Sequence, residues 1–167
     1  GAILTIVLQA SNATMAITML LAASGLIDFK LAVAMVLGEN IGTTITANIA
    51  ASVANTSAKR AARAHTIFNI IGVIWVLILL SPILKLISLI MVSLGFADPM
   101  TVDMAGLNEA FKAAKDTPGE AEAEAAFVAA KDSMLYGIAM LHTLFNVTNT
   151  MVLIWFTKYI EKAVVWL

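Results

Sequence analysis

Two short polar strings interrupt long apolar runs near the start of this chain. The first reads Gln9-Ala10-Ser11-Asn12-Ala13-Thr14, and the second reads Gly38-Glu39-Asn40-Ile41-Gly42-Thr43-Thr44. In a lipid bilayer, polar and irregular backbone survives only beside protein or a water-filled cavity, because every backbone polar group needs a partner. Two interrupted helices that face each other are a common way to build a substrate site in a secondary transporter.

The first string could hold an anion. Ser11, Asn12 and Thr14 offer hydroxyl and amide groups, and a chain break among them would free N–H groups at the start of the next half-helix. Those N–H groups and the helix dipole attract negative charge. Neither string contains Lys or Arg, so co-bound cations would have to help neutralise the anion. The alternative is that these small polar residues only join neighbouring helices.

The second string has the composition of a cation site. Asn40, Thr43 and Thr44 supply oxygen atoms, and the two glycines permit unusual backbone conformations. Carbonyl groups freed at an unwound turn are good ligands for Na⁺.

Glu39 is the only acidic residue between Asp28 and Asp98. An ionisable residue inside a membrane span is a functional hypothesis by default. Glu39 could ligate Na⁺, carry a proton, or pair with a base elsewhere in the protein. The alternative is a solvated side chain in an aqueous vestibule.

The composition predicts an integral membrane protein. Of 167 residues, 60% are hydrophobic and 13% are charged, whereas about a quarter of the residues in soluble domains are charged. A net charge of −1 gives no reason to expect a nucleic-acid partner, and the absence of cysteine excludes disulfides and thiolate metal sites. No nucleophile triad or phosphate-binding glycine loop is present, so we do not expect an enzyme. The chain starts without Met, and we expect it to be a piece of a longer polypeptide.

The apolar runs predict an all-α fold in three parts. Residues 1–97 should contain a hairpin at 1–25, a broken transmembrane helix at 31–54 and a spanning helix at 64–94. The first run could be a straight helix or a re-entrant hairpin, and the third run needs tilt or a kink at Ser81-Pro82. Residues 98–132 form an acidic loop outside the membrane, with a short helix on each side of Thr117-Pro118-Gly119. Residues 133–167 form the last transmembrane helix and a cytoplasmic end.

The charges predict one topology. Lys59, Arg60 and Arg63 place residues 55–63 in the cytoplasm by the positive-inside rule, and Lys158 and Lys162 place the C-terminus there as well. The turn at 26–30 and the acidic loop then lie outside.

A short internal echo links two of the predicted spans. His65-Thr66-Ile67-Phe68-Asn69 recurs as His142-Thr143-Leu144-Phe145-Asn146. The echo predicts equivalent packing roles for these two helices. A metal role for the histidines is not expected, because no second ligand lies at suitable spacing.

Together these motifs resemble the sodium-dependent phosphate cotransporter family, the type II Na⁺/phosphate symporters and their bacterial relatives. Family members carry a Gln-Ser-Ser-Ser-Ala-Thr string in a re-entrant hairpin and a Gly-Ala-Asn-Ile-Gly-Thr-Thr string in the next, broken helix. The stretches at 59–69 and 139–147 are also similar to the family. The order of the motifs resembles the second of two inverted repeats.

The resemblance implies sodium-coupled symport of inorganic phosphate by alternating access, in the bacterial inner membrane. It implies half a site, completed by a first repeat in the same parent chain or by a second copy. The implied phosphate-binding residues are Gln9, Ser11, Asn12, Ala13, Thr14, Asn40 and Thr43. The implied Na⁺ ligands are Gln9, Ser11, Glu39, Asn40, Thr43 and Thr44.

The chain departs from the family pattern at Ala10, Asn12 and Glu39. The lost hydroxyl groups and the gained amide and carboxylate change the coordination of both the anion and the cation. The substrate could therefore be another oxyanion, and H⁺ could contribute to coupling through Glu39. Two further alternatives are an exporter of phosphate or another anion, and a non-transporting membrane subunit whose polar strings only pack against a partner.

Overall fold

A computed structural model describes residues 1–166 and contains α-helices but no strand within that range. This confirms the predicted all-α class. The helices are α1 (Ala2–Leu8), α2 (Ser11–Ala23), α3 (Phe29–Ala51), α4 (Thr56–Ile78), α5 (Leu80–Ser93), α6 (Met104–Ala114), α7 (Glu120–Leu153) and α8 (Thr157–Trp166). A 3₁₀ turn, Ile154–Phe156, joins α7 to α8.

The first string interrupts the helix where the sequence predicts a break. Gln9 ends α1 in the left-handed region with φ 53°, and Ala10 is extended before α2 begins at Ser11. The chain reverses here, so that α1 and α2 form a helical hairpin and both pack against α3. Re-entry of this hairpin into a membrane stays a prediction.

The second string does not break its helix. α3 runs without interruption from Phe29 to Ala51, so the prediction of a broken helix at 31–54 is wrong. The polar side chains bond back to carbonyl groups of their own helix, which satisfies them without unwinding the backbone. The two glycines serve close packing instead, because backbone atoms of α1 lie directly against them.

The predicted spanning helix at 64–94 is two helices. α4 begins at Thr56, earlier than predicted, and ends at Ile78, and α5 follows after Leu79. Proline has no N–H, and its ring clashes with the carbonyl group four residues earlier. For Pro82 that residue is Ile78, so the helix ends four residues before the proline.

The acidic segment is also organised differently. α6 is a separate short helix, but the second predicted helix continues into the last apolar run as the 34-residue α7. No helix boundary exists at 132–133. At 1.5 Å per residue α7 is about 51 Å long, which exceeds a hydrocarbon core of about 30 Å.

α3 lies at the centre and contacts α1, α2, α4 and α7. Its buried apolar residues join those of α5 and α7 in one core, whose members include Phe29, Val33, Val36, Ile87, Met91, Ile138 and Phe145. Two helical segments, Thr56–Ile78 and Glu120–Trp166, are long and apolar enough to cross a membrane.

The two basic segments lie at the same end of the molecule. Arg60 and Ala64 of α4 and Ile160 and Glu161 of α8 line one cavity of about 650 Å³. At the other end, the Asn108 amide of α6 donates a 3.3 Å hydrogen bond to the Ser24 carbonyl after α2. The basic segments thus share one end of the molecule, and the end that faces the cytoplasm stays a prediction.

Candidate functional site

The tip of the hairpin presents an uncapped helix start. Ala10 occupies the N-cap of α2, and no side chain accepts a hydrogen bond from the first turn. The N–H groups at the start of a helix have no partner within it and carry the positive end of the helix dipole. Gln9, Asn12 and Ala13 are exposed, and Ser11 is half-buried. Gln9, Ser11, Asn12 and Ala13 therefore lie at a helix start that no side chain caps, and their role in anion binding stays a prediction.

Thr14 differs from the other residues of the first string, because it is fully buried. Its hydroxyl oxygen accepts a 3.1 Å hydrogen bond from the hydroxyl group of Thr5, and its own proton points to the Ala10 carbonyl. Thr14 thus joins α2 to α1. Sequence reasoning missed Thr5, although it is the only polar residue between Ile3 and Leu8.

The second string presents oxygen atoms along one uninterrupted helix. The Asn40 amide donates to the Val36 carbonyl at 3.0 Å, and the Thr43 hydroxyl donates to the Glu39 carbonyl at 2.9 Å. Thr44 is buried and bonds to the Ile41 carbonyl at 2.8 Å. Each of these side chains donates one hydrogen bond to a carbonyl group of α3 itself.

The first arm of the hairpin, α1, packs on Gly42 of the second string. A Cβ atom added there would lie 2.7 Å from Cβ of Thr5 and 2.7 Å from the Ala2 carbonyl oxygen. Because Thr5 also bonds to Thr14, the buried end of the first string lies level with Gly42. Gln9 lies one helical turn further along α1, about 6 Å beyond Thr5. Thr5, the partner of Thr14, therefore packs on the second string, while Gln9, Asn12 and Ala13 stay at the surface.

Glu39 lies at the contact of α1 with α3. It exposes only 2% of its surface, and its Oε2 accepts no hydrogen bond from the described residues. Glu39 is therefore not a solvated side chain in an aqueous vestibule, which was the alternative interpretation. A buried carboxylate oxygen without a hydrogen-bond partner is energetically costly.

The histidine echo makes the same local bond twice. The Asn69 amide donates to the His65 carbonyl at 3.0 Å, and the Asn146 amide donates to the His142 carbonyl at 2.8 Å. The amide group of each asparagine thus donates its hydrogen bond within its own helix and not to the hairpin tip.

Two other asparagines, which sequence reasoning did not single out as site residues, join the helices that position α3. Asn48 of α3 donates a 2.6 Å hydrogen bond to the Thr66 hydroxyl of α4. The buried Asn149 of α7 donates to the Phe68 carbonyl at 2.9 Å and accepts from Trp75 Nε1 at 3.3 Å. The sequence signal that could have identified both residues is an amide side chain within a largely apolar stretch, where it needs a hydrogen-bond partner.

Comparison with known proteins identifies first the class of protein and then the family to which this chain belongs. The two long apolar helices and the family assignment together indicate a membrane protein of a transporter family. The family described as Na⁺/Pi-cotransporter matches residues 1–100, which include the hairpin, α3, α4 and α5. The chain belongs to the Na⁺/Pi-cotransporter family.

Curated relatives match part of the chain. YqeW, an uncharacterized protein of Bacillus subtilis, is 42% identical over 77 residues, which are 46% of this chain and 25% of YqeW. The proteins named "Putative inorganic phosphate export protein YjbB" of Salmonella typhimurium and Escherichia coli are 34% identical over 86 residues and 35% identical over 72. These regions are 52% and 43% of this chain but 16% and 13% of the relatives. The chain therefore spans a quarter or less of the relatives it matches, and no solved structure matches it.

Proposed function

We propose that the chain forms part of a sodium-coupled symporter of inorganic phosphate that works by alternating access. Membership of the Na⁺/Pi-cotransporter family supports this function. The structural observation that carries it is the helix break at Gln9 and Ala10, which leaves the first turn of α2 uncapped within the family-matched region.

Phosphate would bind at the hairpin tip. The free N–H groups of Ser11, Asn12 and Ala13 would donate to its oxygens, because a helix start is suited to anions. Side chains of Gln9, Ser11 and Asn12 would add donors around the anion. Thr14 would support the tip from its bond with Thr5, while Asn40 and Thr43 would reach the substrate from α3 when the transporter closes.

Na⁺ would bind beside the phosphate and offset its charge. Gln9 and Ser11 of the hairpin and Asn40, Thr43 and Thr44 of α3 all offer neutral oxygens, which a hard cation prefers. Since the α3 side chains donate their protons within the helix, their oxygens are oriented as acceptors. Co-binding of Na⁺ would then explain how an anion is held without Lys or Arg in either string.

The site would be completed by another repeat. The polar tip is exposed, and large apolar side chains such as Ile3 and Val7 of α1 are also exposed, at 80% and 73%. Contiguous apolar surface of this kind indicates a protein or lipid neighbour. A first repeat, from the same polypeptide or from a second copy, would cover the hairpin and supply the opposing half of the site, in a bacterial inner membrane with the C-terminus in the cytoplasm.

Radiolabelled phosphate uptake into proteoliposomes tests this function. The full-length protein should take up phosphate when an inward Na⁺ gradient is imposed and should lose most of that flux on replacement of Na⁺ by K⁺. Ser11→Ala should reduce the Na⁺-dependent flux, whereas Ser93→Ala, whose hydroxyl only bonds to the Ile90 carbonyl of its own helix, should not. Equal flux in Ser11→Ala and the unmodified protein, at equal amounts of folded protein, would refute the site.

Export of phosphate is the second candidate function, because the YjbB relatives are named as phosphate export proteins. Vesicles preloaded with labelled phosphate distinguish the two directions. Efflux that needs no Na⁺ gradient, together with no uptake under an inward gradient, would favour an exporter. Flux in neither direction would favour another oxyanion or a packing role for the strings.

A further inference from the structure

The cavity between α4 and α8 takes no part in the proposed transport site. It has a volume of about 650 Å³, and its walls are the first half of α4, the end of α7 and α8. The two polar strings lie on α1, α2 and α3 instead. The family match ends at residue 100, so α8 contributes to this cavity from outside the matched region.

Most of the cavity wall is apolar and open to the surroundings. The apolar lining residues include Phe68, Leu153, Ile154, Ile160, Val164 and Val165. Ile154 and Val165 are each more than half exposed. Exposed apolar surface beside a cleft indicates an apolar ligand or neighbour.

The polarity of the cavity changes along α4. Arg60 lines one end, and Phe68 lines the other end two turns further into the apolar run. Eight residues of helix separate them by about 12 Å. Glu161 of α8 also lines the cavity, and its carboxylate can accept hydrogen bonds from hydroxyl groups. The cavity thus leads from a charged mouth to an apolar interior.

The mouth of the cavity has the composition of a membrane–water interface. Positive charge dominates α8 and the first two turns of α4, where the basic residues Lys59, Arg60, Arg63, Lys158 and Lys162 accompany the single acid Glu161. Trp155, Tyr159 and Trp166 are exposed at the same end. Exposed Trp and Tyr residues are typical of the headgroup level of a bilayer, and clustered basic residues attract anionic lipids there.

We propose that this cavity binds one anionic phospholipid from the leaflet that meets the basic end of the molecule. The Arg60 guanidinium binds the phosphodiester of the headgroup, because its planar N–H donors match phosphate oxygens. One acyl chain lies along the apolar wall between Phe68 and Val164. A free phosphate ion would use Arg60 but leave this apolar wall uncovered, so the observations favour a lipid.

Native mass spectrometry of the full-length protein tests the headgroup contact. Dioleoyl phosphatidylglycerol, which is anionic, should be retained more than dioleoyl phosphatidylcholine, which has the same chains and no net charge. Arg60→Gln should lower the retained phosphatidylglycerol several-fold. Lys59→Gln is the matched control, because it removes the same charge from the next residue, which does not line the cavity. Equal retention of the two lipids, or equal losses in the two variants, overturns the proposal.

Filling the cavity tests the acyl-chain contact. Ala64 lines the cavity, so Ala64→Phe should displace the lipid several-fold although Arg60 is unchanged. Ala163→Phe places the same ring on α8 at an exposed position outside the lining and should retain the lipid. Unchanged retention in a folded Ala64→Phe variant overturns the proposal.

Excess inorganic phosphate distinguishes a lipid from a free anion. The ion should leave the bound phosphatidylglycerol in place, because it cannot replace the acyl-chain contact. Release of the lipid by inorganic phosphate would show an anion site and overturn the lipid assignment. None of these measurements needs transport, so their outcome is separate from that of the proposed function.

Discussion

The hydroxyl group of Thr5 lies 3.1 Å from that of Thr14, and this hydrogen bond joins the two arms of the hairpin below its polar tip. Both threonines are fully buried, so neither hydroxyl group has water as an alternative partner. The bond holds the start of α2 over Gly42 of α3, because Thr5 also packs against that glycine. The position of the polar tip therefore depends on a buried hydrogen bond between Thr14 and Thr5, a residue outside the first string.

Replacing Thr14 by Val should lower the free energy of unfolding by about 0.5–1.5 kcal/mol, because it removes the hydrogen bond between the two hydroxyl groups. The Thr5 hydroxyl keeps the Gly1 carbonyl as a partner at 3.1 Å. Thr5→Val together with Thr14→Val should cost less than the sum of the two single changes, since either single change already removes the hydrogen bond that the two hydroxyl groups share. Reversible unfolding in detergent measures these differences. Thr18→Val is the matched control, because Thr18 is buried but bonds only to the Thr14 carbonyl of its own helix. Strict additivity of the two changes would contradict a direct bond.

Gly42→Ala should separate α1 from α3. The added Cβ atom would lie 2.7 Å from the Ala2 carbonyl oxygen, which is backbone and cannot rotate away. Overpacking of this kind typically costs about 1–3 kcal/mol. Gly119→Ala is the control, since φ there is −89° and the nearest atom outside its chain neighbours lies 3.8 Å away. Unfolding in detergent should show a loss for Gly42→Ala alone, and equal stability of both variants would contradict the packing.

Asn12→Asp should have opposite effects on stability and on phosphate flux. A negative charge at the start of α2 interacts favourably with the helix dipole, by about 0.3–1 kcal/mol. The same charge repels phosphate at the proposed site, so uptake should fall at least several-fold. Asn12→Gln keeps a neutral amide at this position and should retain more flux. Uptake that is unchanged in Asn12→Asp would show that the anion does not bind at this tip.

Trp75→Phe should destabilise the packing of α4 on α7. The indole N–H group donates to Oδ1 of the buried Asn149 at 3.3 Å, and loss of this bond should cost about 1 kcal/mol. The exposed Trp155 provides the control, because Trp155→Phe removes no described hydrogen bond. Thermal unfolding in detergent should rank Trp75→Phe below Trp155→Phe, and the reverse order would contradict the assignment.

The topology is testable by labelling single cysteines, because the chain contains none of its own. Ser57→Cys lies in the basic segment and Thr117→Cys in the acidic segment, and both positions are exposed. In intact cells a membrane-impermeant maleimide should label Thr117→Cys only, and Ser57→Cys should react only after the membrane is opened. Labelling of both positions from one side would contradict the predicted arrangement.

The sequence by itself determined the helical class, the hairpin break and the pairing of charges at the two ends. The break at Gln9 and Ala10 falls within the first polar string, whereas the second polar string leaves its helix intact. The long α7 was not predicted as one helix, although the Ala- and Glu-rich stretch has high helix propensity and no stop signal separates it from the apolar run.

Only the tertiary structure decided how the second string is used. Glycine and threonine are equally compatible with an unwound turn and with a helix that bonds its polar side chains to its own carbonyl groups. The close approach of α1 across Gly38 and Gly42 selects the second possibility, because an uninterrupted helix gives α1 a continuous surface to pack on. The burial of Glu39, which exposes 2% of its surface, also depends on packing that the sequence pattern does not show.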